Sequence, residues 1–119
     1  MKYTKSTRYA LVAAMEMATS EEPVSVAAVA EKYDLPPGAL AKVFQQLVRA
    51  ELARGVRGVG GGYVLARPPS EITVLELIAV HDPPRPEAYG DPRLRRLFDE
   101  VTEVVSSTFA SVSLETLVR

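Results

Sequence analysis

Apolar residues recur at three- and four-residue steps over several stretches of the chain, and this spacing predicts helices there. From Thr7 to about Thr19 the recurring positions are Tyr9, Leu11, Val12, Ala14, Met15 and Ala18. Glu21, Glu22 and Pro23 end that pattern, and the Ser25 hydroxyl can cap a short second helix through Val26, Val29, Ala30 and Tyr33. Asp34-Leu35-Pro36-Pro37-Gly38 then reads as a turn, because proline is tolerated in the first turn of a helix but not inside one. A third helix follows, with Leu40, Val43, Phe44, Leu47 and Val48 on one face. A short helix, a tight turn and a longer helix with a buried stripe form a helix-turn-helix pattern.

The period then changes. Residues 52–57 and 63–66 read as two strands, and Gly58-Val59-Gly60-Gly61-Gly62 joins them as a hairpin tip. A hairpin directly after the second helix of such a motif is a wing. Thr73-Val74-Leu75-Glu76 has the form of a capping box and starts a helix through Leu77, Ile78 and Val80. Pro83, Pro84, Pro86, Gly90 and Pro92 mark residues 82–92 as an irregular, exposed connector. From Arg93 to about Ser111, Leu94, Leu97, Phe98, Val101, Val104, Val105 and Phe109 follow helical spacing, and Ser113 can cap a final turn. A helix of that length spans roughly 28 Å, more than the short helices before it can cover. Pairing with a second copy through this stripe is therefore expected. The expected fold is mainly α with a small β-hairpin wing. Residues 1–81 form a winged helix-turn-helix domain, 82–92 the connector, and 93–119 the dimerisation helix with its C-terminal turn.

Charge sharpens this picture. The net charge of −1 conceals an asymmetry: residues 1–67 hold nine Lys/Arg against six Asp/Glu, and residues 68–119 five against nine. Between Lys32 and Arg67 six cations oppose only Asp34 and Glu51. A polyanion such as double-stranded DNA is the natural partner of that window. Arg57 stands last before the glycine-rich tip, where a side chain entering a narrow, electronegative minor groove would start, with Arg54 and Arg67 beside it on phosphate. In the third helix Lys42 and Gln45 can hydrogen-bond base edges in the major groove, while Gly38, Ala39 and Ala41 admit the backbone closely. Arg49 lies on the same outward side.

Other chemistry finds little support. The glycine run is followed by a strand-like segment and lacks a closing Gly-Lys-Ser/Thr, which argues against a nucleotide loop. There is one histidine, His81, no cysteine and no nucleophile elbow, so an enzyme is not expected. His81 reads as a helix-end residue rather than a metal ligand. Without cysteine the chain cannot hold a thiolate-bound cluster, and no cofactor is expected. An apolar composition of 47% without a stretch of about 20 apolar residues suggests a soluble, cytoplasmic protein rather than a membrane one.

Several segments together resemble a known family. Arg8-Tyr9-Ala10, Pro23-Val24-Ser25-Val26-Ala27, the wing segment from Arg57 to Ala66, Ile72-Thr73-Val74-Leu75-Glu76 and Val112-Ser113-Leu114-Glu115-Thr116-Leu117 look like the Rrf-two family, that of the iron-sulfur cluster regulator and the cysteine-metabolism repressor. The resemblance implies a homodimeric winged-helix regulator that represses or activates promoters, paired through its long helix, with Arg57 in the minor groove; a repressor is expected. Arg8, Ser25, Gly38, Ala39, Ala41, Lys42, Gln45, Arg49, Arg54, Arg57, Gly58, Gly60 and Gly61 are the candidate DNA contacts. Leu94, Leu97, Phe98, Val101, Val104, Val105 and Phe109 are the candidate dimer contacts. Two departures stand out: the family's cluster-binding cysteines are missing from the connector, and its polar recognition residues give way to Gly38, Ala39 and Ala41. An unknown effector or a partner protein would then supply the signal. The alternative reading is a winged module that binds protein and not DNA.

Overall fold

A computed structural model describes residues 2–85 and 90–119. Residues 86–89, in the middle of the expected connector, lie outside the described residues. The elements run α1 (Lys5–Thr19), α2 (Val26–Tyr33), α3 (Pro37–Arg49), β1 (Ala53–Val56), β2 (Gly62–Leu65), a 3₁₀ turn (Pro69–Glu71), α4 (Val74–Ala79), α5 (Pro92–Ala110) and α6 (Leu114–Leu117).

Most helix starts are set by the residues the sequence offers. The hydroxyls of Thr4, Ser25, Thr73 and Ser113 accept from backbone N–H groups in the first turns of α1, α2, α4 and α6. At α4 the capping box closes fully, because the Glu76 carboxylate also accepts from the Thr73 N–H at 2.8 Å. Asp34 ends α2 in the left-handed region, with φ 53°, which turns the chain sharply into α3.

The core forms where α1, α2, α3 and α4 meet. Phe44, Leu40 and Leu47 of α3 are completely buried, and Phe44 stacks on Tyr63 of β2 at 4.8 Å between ring centroids. The buried face of α1 differs from the expected one. Ala10, Ala13, Ala14 and Met17 face inward, while Tyr9, Leu11, Val12, Met15 and Ala18 lie half-buried along its flanks. Side chains this small let α1 pack closely across α3, and that placement fixes the orientation of α3.

The C-terminal turn also departs from the expected division of the chain. Rather than forming a unit with α5, α6 returns to the core of the first 81 residues. Leu114 is completely buried, the Leu114 N–H donates to the Ile72 carbonyl, and the Val74 N–H donates to the Val112 carbonyl, both at 2.8 Å. The long helix is different: none of its 19 residues is buried. The molecule measures 57 × 28 × 22 Å, and its radius of gyration is 16.0 Å. A compact chain of this length would have a radius of about 13.5 Å. The excess is what a projecting helix produces.

Candidate nucleic-acid interface

α3 presents Gly38, Ala39, Lys42, Gln45 and Arg49 to solvent, while Ala41 is half-buried. No side chain caps its first turn, where Pro36 stands at the N-cap and Pro37 at the first helical position. The positive end of the helix dipole is thus free to face an anion. Space around Gly38 is open, with nothing near the position a Cβ would take. Arg8 is exposed on α1. Ser25 is exposed too, but its hydroxyl already accepts from the Ala28 N–H at 3.1 Å.

The wing is a two-stranded antiparallel hairpin with Arg54 opposite Val64 and Val56 opposite Gly62. Arg54, Arg57, Gly58 and Gly60 are exposed and Gly61 is half-buried. A feature the sequence reading missed sets the hairpin's direction. Val24, one residue before the α2 cap, exchanges both backbone hydrogen bonds with Tyr63 at 2.9 Å. The wing is therefore hydrogen-bonded to the helix-turn-helix and does not swing freely. This contact needs Gly62, because a Cβ there would lie 2.4 Å from the Val24 carbonyl oxygen. Gly61 is equally constrained, since its Cβ would lie 2.4 Å from the Val56 carbonyl oxygen. Both sit in a run of glycines, which was the available signal.

The cations of this face fall into two groups. Two are internally neutralised. Lys32 donates to Glu16 at 2.9 Å, and Glu16 also accepts from the Tyr33 hydroxyl. Burial would raise the Glu16 pKa, but the Tyr33 and Lys32 hydrogen bonds outweigh it and hold the carboxyl below its usual range. Arg67 donates to Glu76 at 2.8 Å and to the Glu71 carbonyl at 3.0 Å, so it is not the open phosphate ligand expected beside Arg57. The second group is Arg8, Lys42, Arg49, Arg54 and Arg57. All five are exposed and make no salt bridge among the described residues.

The stripe on α5 divides in two. Leu94, Leu97, Val101 and Val104 remain 46%, 51%, 44% and 66% exposed, and their spacing alternates three and four residues. Phe98, Val105 and Phe109 are half-buried, and Phe109 meets Tyr3 edge to face at 6.0 Å. One stripe thus leans on its own chain, and the other has no cover among the described residues.

Residues 3–119 match the family model for Rrf2, described as iron-dependent transcriptional regulator. The chain belongs to the Rrf2 family. The transcriptional regulator BadM of Rhodopseudomonas palustris is 36% identical over 128 residues, which takes in 100% of this chain and 82% of BadM. Among solved structures, CymR, the global cysteine regulator of B. subtilis, superposes with a TM-score of 0.87 at 29% identity, over 99% of this chain and 96% of CymR. T. potens IscR gives 0.86 at 27% identity, over 98% of this chain and 85% of its own. This Rrf2 protein is a winged-helix, DNA-binding transcription regulator and not an enzyme. None of its helices, among the described residues, is long and apolar enough to cross a membrane.

The family description raises the question of iron. The residues present do not fit a thiolate-held cluster, because the chain has no cysteine. Among the described residues, no three His, Asp or Glu side chains are grouped so that they could hold a metal ion. His81 is half-buried; burial pushes its imidazole pKa down, and Nδ1 has no hydrogen-bond partner among the described residues.

Proposed function

We propose that this Rrf2 protein is a homodimeric, sequence-specific repressor that places α3 in the major groove and Arg57 in the adjacent minor groove. The observation that carries the reading is the set of five exposed, unpaired cations on α1, α3 and the wing, in a chain that neutralises Lys32 and Arg67 internally. Arg57 follows β1 of a hairpin whose other strand is held by Val24, so the backbone that carries it is anchored to the segment before α2. Lys42 and Gln45 supply donors for base edges, and Arg49 and Arg54 suit phosphate. The exposed row Leu94, Leu97, Val101 and Val104 supports pairing with a second copy, which gives two recognition helices on one duplex face. Repression follows most simply from occupying promoter DNA. Without thiolates the signal is not a cysteine-bound cluster, and a cytoplasmic setting suits a protein that works on DNA.

Selection from a random duplex pool tests the reading directly. An enriched, two-fold-symmetric site that arginine-to-alanine change at position 57 weakens is the expected result. A promoter-reporter carrying that site should fall in output when the protein is present. Absence of binding to every duplex would leave the protein-interaction reading standing, under which charge reversal at Arg54 and Arg57 leaves a protein partner bound.

A further inference from the structure

We infer that the cavity between the C-terminal half of α5 and the end of α4 is an effector site for a small organic carboxylate, an inference that rests on the regulator reading above. The cavity measures about 360 Å³. Ligand sites of small molecules run from about 300 to 1,000 Å³ and combine apolar walls with a few polar groups. Here Ile78 of α4, Phe109 of α5 and Tyr3 ahead of α1 supply apolar wall, and Lys2, His81 and Arg85 supply polar groups at its rim and floor.

The charge pattern selects an anion. Lys2 and Arg85 are exposed and make no salt bridge among the described residues. Among the described residues the one carboxylate lining the cavity, Asp82, is already committed. Its Oδ2 accepts from the Thr4 N–H at 2.9 Å, from the Thr4 hydroxyl at 3.0 Å and from the Thr7 hydroxyl. Those bonds hold its pKa below the usual carboxylate value. Burial keeps the neighbouring His81 imidazole below its usual value as well, which leaves Lys2 and Arg85 as the available positive charges among the described residues of the lining. An anion with an apolar body satisfies both the two cations and the aromatic wall.

The location explains how such a ligand would regulate. The Asp82 bonds fasten the end of α4 to the start of α1, and Thr7, whose hydroxyl donates one of them, is a buried polar side chain. Lys2 lies two residues before Thr4, and Arg85 three after Asp82. A carboxylate bridging Lys2 and Arg85 ties together the same two segments. It also touches α5 through Phe109, whereas α1 packs on α3 and carries Arg8. The ligand therefore sets the relation between the recognition surface and the helix that bears the outer apolar stripe.

Hexanoate is a suitable probe, with hexanol and inorganic phosphate as controls. In NMR titrations of the intact protein, hexanoate should shift the signals of Ile78, Val105 and Phe109, with a Kd of about 1 mM or below. Hexanol and phosphate should each bind about tenfold more weakly, and Lys2→Gln or Arg85→Gln should cost hexanoate about tenfold. Both changes are at exposed positions, and an unaltered melting curve verifies the fold of each variant. No shifts at these residues, equal binding of hexanol or of phosphate, or full affinity in both variants overturns the site. Duplex affinity measured with and without hexanoate then reads the coupling: a change supports it, and saturation of the cavity with affinity unchanged overturns the effector role. Failure of the unliganded protein to bind any duplex overturns the regulator reading instead, whatever the titrations show.

Discussion

At Gly62 the wing strand passes so close to Val24 that a methyl group has no room. Gly62→Ala should cost more than about 1 kcal/mol of stability and loosen the wing. The measurements are a denaturant melt and hydrogen exchange at the Tyr63 amide, which donates to Val24. A second residue-scale prediction concerns Glu76. Burial raises its pKa, but the Thr73 N–H and Arg67 outweigh that and leave the carboxyl below its ordinary value. A group whose pKa is lower in the folded state stabilises the fold at neutral pH, and the contribution disappears as pH falls through the folded value. Glu76→Gln should therefore lower stability at pH 7 and flatten its decline in acid, while Thr73→Ala costs about 1 kcal/mol throughout. The capping box was legible in the sequence because it depends on two residues three apart. The Val24–Tyr63 bridge was not, because it pairs residues 39 positions apart through backbone atoms that no side-chain pattern encodes.

The elements themselves followed from local rules: hydroxyl caps, prolines at helix starts and a change of period at the wing. Faces proved harder to read than boundaries. In α1 the expected stripe was right for Ala14, yet Ala10, Ala13 and Met17 join it in the core while Leu11, Val12 and Met15 lie at its margin. Hydrophobicity alone ranks leucine above alanine, whereas the close approach of α1 to α3 selects for size. In α5 the spacing gave one broad stripe, and only the fold shows which part touches Tyr3 and which part stays open. The division makes a direct prediction. Leu97→Glu combined with Val104→Glu should shift sedimentation from dimer to monomer and weaken duplex binding, with the thermal midpoint of the winged body little changed. Phe109→Ala should act the other way round, lowering stability by about 1–2 kcal/mol because the half-buried ring packs on Tyr3 within its own chain.

For the whole molecule, the asymmetry of charge was visible in the sequence, but its use was only partly so. Six cations stand between Lys32 and Arg67, and two of them serve ion pairs at home. Binding by the remaining set should fall steeply with salt, and Arg57→Ala should reduce the slope of log affinity against log salt by about one ion per protomer. The placement of the C-terminal turn could not be read from residues 111–118 alone, since it depends on the partners offered by Ile72 and Val74. Leu114→Ala should cost about 2–5 kcal/mol despite lying near the chain end, as a chemical melt would show. That buried leucine also has a mechanical meaning. With α6 locked to the core just past its C-terminal end and its other end projecting, α5 has the form of a lever whose fulcrum would lie beside Phe109. Over a helix of about 28 Å, a rotation of about 10° at the fulcrum displaces the far tip by about 5 Å. In the homodimer proposed above, symmetry would repeat that swing in the second copy, and a motion too small to disturb the core would bring the two α3 helices into or out of step with the pitch of DNA.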